Sequence, residues 1–168
     1  MCLRIIYEIK PKAGFEMLAK AKEGLCISRY HPDYLRYKYG MSQIEICWLS
    51  AVGGKNTLKA NSIAQILTRI KRFARTHPHA DVLLDGVEYL LLYNSKNAII
   101  EFLEAVIEMS KQMKFTFILH ADPNVLSADR EICEIFDALS AMPSEKLSHQ
   151  TFQAGALPAA QTLANKLG

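Results

Sequence analysis

The chain has 168 residues, 50% of them hydrophobic and 22% charged, which suits one compact domain and excludes disordered, collagen-like and coiled-coil architectures. The net charge is +3, but residues 1–79 hold 14 Lys and Arg against 5 Asp and Glu while residues 80–168 hold 6 against 12, so the charge is divided between the halves. The longest stretch free of those four residue types, 147–165, is rich in Ser, Gln, Thr, Gly and Pro and does not suit a lipid-spanning helix; with no secretory pattern in MCLRIIYEIK, the expected location is the cytoplasm.

Residues 3–9 form the first apolar run and predict a strand, and Pro11 stands where the first turn of a helix accepts proline. Residues 24–29 predict the second strand. Pro32 then opens a short helix rich in tyrosine, with Tyr34, Tyr37 and Tyr39 on it and Tyr30 just ahead, and Gly40 stops it. Residues 44–49 predict the third strand, after which 50–60, with Gly53-Gly54 and no apolar period, reads as a long loop. Over 61–76 the apolar residues Ile63, Ile66, Leu67, Ile70, Phe73 and Ala74 recur at helical spacing, with Arg69, Lys71, Arg72 and Arg75 off that stripe. Residues 80–85 and 115–120 predict the fourth and fifth strands. Helices are predicted over 95–113, where Glu101, Glu104 and Glu108 lie off the apolar stripe, and over 127–139 with Ser127 as its cap.

Strands that are nearly continuous in apolar residues and alternate with amphipathic helices predict an α/β fold. It has three α/β/α layers and a mainly parallel sheet of about five strands. This domain is assigned to residues 1–140. Residues 141–168 are a C-terminal extension, read as a late strand at 147–152 with a short helix after Pro158, or as a loosely attached tail.

In open parallel sheets ligands bind beyond the carboxyl ends of the strands. That rule selects Arg29 and His31 after the second strand, Ser50 after the third, Asp85 and Glu88 after the fourth, and His120 and Asp122 after the fifth. Asp85 suits either a cap on the following turn or a binding role. Arg29 suits a phosphate or carboxylate, or an internal pair with Asp85 or Asp122, and the internal pair is favoured because several carboxylates are close in the expected fold. The histidines show no metal-ligand spacing, and Cys2, Cys26, Cys47 and Cys133 form no C-x-x-C, so neither a metal site nor a disulfide scaffold is expected. No G-x-S-x-G is present and no catalytic set emerges. The basic run 68–79 interleaves only Phe73 with its charges, which speaks against nucleic acid. VLLDG at 82–86 looks like the apolar strand and Asp that hold Mg²⁺ in P-loop NTPases, yet G-x-x-x-x-G-K-[ST] is absent and Pro11 removes an amide where that loop belongs.

The succession GLCISRYHPDYLRYKYG, ICWLS, VLLDGVEYLLLYN and FLEAVIEMSKQMKFTFILHADPNVLS closely resembles the archaeal family called domain of unknown function 835, over residues 3–139. The matching positions are Arg29, Pro32, Trp48, Leu49, Ser50, Asp85, Gly86, Glu88, Tyr89, Leu90 and Asp122-Pro123. The resemblance implies a degenerate relative of RecA- and KaiC-type ATPase cores that lacks the phosphate loop, of the kind found alone or attached to signalling modules. The expected function is a non-catalytic regulatory or sensory adaptor, without cofactor, that binds a protein partner and also accommodates a small ligand at the C-terminal edge of the sheet. The divided charge adds the expectation of electrostatic docking between copies or with a partner. The alternative is a nucleotide-binding protein or weak ATPase using Arg29, Asp85 and Glu88.

Overall fold

In the computed structural model, which describes residues 3–141, β1 (Leu3–Tyr7), β2 (Gly24–Ser28), β3 (Glu45–Ser50), β4 (Thr57–Lys59), β5 (Asp81–Leu84) and β6 (Thr116–Ala121) form one sheet. Their order is β1-β6-β5-β2-β3-β4, and every neighbouring pair is parallel. Helices α1 (Lys12–Ala19) and α2 (Pro32–Tyr39) cover one face, where Phe15, Leu18, Leu35 and Met41 pack on Ile6, Cys26, Ile46, Leu83 and Ile118 of the strands. Helices α3 (Ile63–Thr76), α5 (Lys96–Met113) and α7 (Arg130–Ser140) cover the other, around Ile5, Leu25, Val82, Leu84, Phe117 and Leu119. The short helices α4 (Val87–Leu91) and α6 (Pro123–Ala128) follow β5 and β6 directly. Every residue of β2 and β6 is buried, which is why both read as apolar runs rather than as alternating patterns. The three-layer α/β/α fold with a parallel sheet is thus established.

The chain travels outward through β2, β3 and β4 and then returns to the interior of the sheet for β5 and β6. Neighbours β2 and β5 therefore send their following segments to opposite faces, α2 to one and α4–α5 to the other. Strands β1 and β6 diverge in the same way, through α1 and α7. Divergence of this kind opens a crevice above the strand ends.

Three details differ from the sequence expectation. The sheet has six strands, because β4 lies inside the segment read as a loop; its three residues are too few for periodicity to register. The helix expected over 127–139 is two helices that break at Asp129, whose carboxylate accepts the amides of Glu131 and Ile132 and caps α7. Ser127 is not the cap; its hydroxyl donates to the Asn124 carbonyl instead. The late strand and short helix expected after residue 141 lie outside the described residues. No helix among the described residues is long and apolar enough to cross a membrane.

Candidate functional site

Both points of divergence lie at the C-terminal edge, and one buried carboxylate joins them. Asp85 extends β5 by donating its amide to the Ile27 carbonyl, and its side chain is fully buried. Its Oδ2 accepts a 2.8 Å hydrogen bond from the Ser28 hydroxyl of β2. Its Oδ1 lies 3.2 Å from His120 Nδ1 on β6 and 3.9 Å from Arg29 Nη2. The Arg29 guanidinium makes its shorter contact, 2.7 Å, with Glu88 on the first turn of α4. Ser28 Oγ also accepts the Tyr30 amide at 3.1 Å, which fixes the path of the chain as it leaves β2.

The other ring nitrogen of His120, Nε2, lies 2.8 Å from the Glu8 carbonyl beyond β1. A carbonyl only accepts, so Nε2 carries a hydrogen, and a proton on Nδ1 as well would face the Asp85 carboxylate. Contact with Asp85 Oδ1 is close but not aligned as a hydrogen bond, so the attraction there is chiefly ionic. Burial by itself pushes the His120 pKa down; the Asp85 carboxylate and the Glu8 carbonyl outweigh it, so the imidazole titrates above its ordinary 6.5. The Glu8 side chain turns the opposite way and receives the α1 amides of Ala13 at 2.8 Å and Gly14 at 3.4 Å. Burial raises the pKa of this carboxyl above its usual range, against the lowering effect of those two amides.

Gly86 makes the Arg29 position possible. Its φ of +109° lies in the left-handed region that side chains disfavour, and a Cβ there would stand 2.9 Å from Arg29 Cγ and 3.0 Å from Cδ. The main chain after β5 therefore runs directly beneath the arginine stem. Beside it, Trp48 Nε1 donates to the Arg29 carbonyl at 3.0 Å, and the His31 ring meets the Trp48 indole edge-on.

Of the residues selected from sequence, Arg29, Asp85, Glu88 and His120 come together in one cluster. The other three do local work. His31 Nδ1 accepts the Asp33 amide and caps α2, Ser50 Oγ accepts the Val52 amide, and Asp122 Oδ1 accepts the Asn124 amide and caps α6. Arg29 pairs with Glu88 and Asp85 rather than with Asp122. Ser28 and Glu8 were missed as members. Ser28 is a polar residue at the end of an apolar strand, a signal that was available; Glu8 contributes through its carbonyl and through a cap, which side-chain type does not announce. Among the described residues no group of three or more His, Cys, Asp and Glu is arranged to hold a metal ion.

Sheet and cluster together define an α/β domain whose C-terminal edge holds a self-paired charge network. The family model described as "Protein of unknown function (DUF835)" matches residues 8–133, well over half of the chain, and the chain belongs to that family. No curated protein matches it.

Three outcomes follow from this geometry. Replacing Asp85 with Ala leaves the Ser28 hydroxyl without its acceptor and the buried imidazole without its counter-charge, and is expected to cost about 2–4 kcal/mol in urea unfolding. Because the folded pKa of His120 is raised, its stabilisation is complete below about pH 6.5 and is lost as pH rises through the folded value. His120→Gln should therefore flatten the fall in Tm above pH 6.5 that the parent shows. Gly86→Ala, strained by the positive φ and crowding Arg29, is expected to lower stability by about 1–3 kcal/mol, and a Gly86→Ala unfolding curve identical to the parent's would contradict this account of the turn.

Proposed function

We propose that this protein is a non-catalytic adaptor that binds a protein partner at the C-terminal edge of its sheet, in a regulatory or sensory role. The observation that supports it is a set of exposed apolar side chains on the segments leaving that edge. Ile9 after β1 is 60% exposed, Val52 after β3 is 74%, and Leu92 and Tyr93 after α4 are 74% and 45%. Tyr89 ties two of these segments together, since its hydroxyl accepts the Ala51 amide and its ring packs edge-on against Tyr93. Exposed apolar side chains around a self-paired polar centre suit a protein interface better than a reacting site.

The internal pairing argues the same way. A phosphate-binding centre needs uncommitted donors, whereas the Arg29 charge is shared between Glu88 and Asp85. The N-terminus of α1 follows β1, where a phosphate loop would stand, and the Glu8 carboxylate takes two of its amides. On this reading the domain is kin to RecA-type cores with the phosphate position filled by its own acid, and the nucleotide-binding alternative loses its anion site.

Mg-ATP is accordingly expected to leave the Tm unchanged, whereas a ligand at 100 times its Kd would add about 2.7 kcal/mol; a saturable shift would favour the nucleotide reading. Affinity-tagged protein purified from its native host, with bound chains identified by mass spectrometry, tests the adaptor role directly. Val52→Asp with Leu92→Asp should keep the parent's Tm and lose a chain that the parent retains. A partner held equally by both, or none held by the parent, contradicts the proposal.

A further inference from the structure

The edge strand β4 covers only half of β3. Trp48, Leu49 and Ser50 pair with Thr57, Leu58 and Lys59, but among the described residues Glu45, Ile46 and Cys47 have no strand on that side. The main-chain groups of alternate residues point to the same neighbour. Trp48 donates its amide to the Asn56 carbonyl on the β4 side, and the Ser50 carbonyl accepts the Ala60 amide there. The N–H and C=O of Ile46 therefore face the same way, and among the described residues no main-chain group reaches them. They open on a cavity of about 170 Å³ lined by Arg36, Glu45, Ile46, Cys47, Asn56, Thr57, Leu58 and Arg69.

A cavity this small lies below the ~300 Å³ at which small-molecule pockets begin. What it fits is one residue of a strand. Its charge is unbalanced, with two guanidinium groups against one carboxylate: Arg69 is paired with Glu45, while among the described residues Arg36 pairs with the well exposed Asp33 of its own helix, at 3.5 Å. We infer that the uncovered half of β3 receives an extended, acidic segment of a partner protein, which pairs its main chain with Ile46 and presents a carboxylate to Arg36. Strand addition supplies the affinity through main-chain bonds, and the Arg36 guanidinium, held only by a half-exposed pair within its own helix, supplies the choice of an acidic side chain. This surface is on the lateral edge of the sheet and does not depend on the adaptor reading of the C-terminal edge.

Phage display of a random hexapeptide library on the full chain tests it. Enrichment of sequences with alternating β-branched residues and an Asp or Glu is expected. The enriched synthetic peptide should bind Arg36→Glu at least tenfold more weakly by fluorescence anisotropy. It should slow hydrogen exchange of the Ile46 amide, and methylation of the alternate peptide nitrogens that face β3 should abolish binding. The proposal is overturned if no acidic peptide is enriched, if Arg36→Glu or the methylated peptide binds as well as the parent pair, or if light scattering shows a dimer lost in Arg36→Glu, which would assign the notch to a second copy.

Discussion

A carboxylate removed completely from water is costly, by several kcal/mol even after the protein relaxes around it, unless hydrogen bonds and opposite charge surround it. Asp85 meets that condition only because three strands end together. Ser28 arrives from β2, His120 from β6, and Arg29 from the first residue after β2. Slide any one of those strands by a residue and its side chain turns to the other face of the sheet, costing the acid a partner. The cluster thus acts as a register clamp for β6-β5-β2, and the Glu8 carbonyl on His120 extends it to β1.

The same clamp explains why the polar residues of the C-terminal edge pair with one another. Crevices above diverging parallel strands collect polar residues because loops and helix N-termini meet there. Here those residues are spent on one another: acid on helix amides at α1, acid and base between β5 and β6, guanidinium on α4. They hold the loops in place, and a fixed rim is what exposed residues such as Val52, Leu92 and Tyr93 require if they are to meet a partner without paying ordering entropy at each encounter.

How much of this was legible in the chain depended on pattern length. The strands from residues 3, 24, 44, 80 and 115 announced themselves because each is apolar over most of its length and buried on both faces. β4, with Leu58 as its one buried residue, has no period to detect. The break at Asp129 was hidden by an apolar stripe that continues through both α6 and α7; the cap, a local hydrogen bond, prevailed over it. Within the site, position at a strand end identified Arg29, Asp85 and His120. The same rule drew in His31, Ser50 and Asp122, because residues that cap helices and residues that form clusters occupy the same strand ends. Strand order separates them, and it is set by long-range packing that one-dimensional patterns do not contain.

Sheet edges impose their own constraint, since an exposed ladder of N–H and C=O groups pairs with any strand that arrives. On the β4 side the chain answers with shortness and charge. β4 has three residues and ends in Lys59, and beyond it the uncovered part of β3 is bounded by the Arg69–Glu45 pair and by Arg36. A neutral strand entering there would strip water from Arg36 and give nothing back, a desolvation cost that works as selection against indiscriminate pairing. A strand carrying a carboxylate returns that energy through a charge-assisted bond. Arginine beside an open backbone therefore protects the edge from aggregation and leaves it usable by one class of segment, so that the device that guards this edge also defines what it accepts.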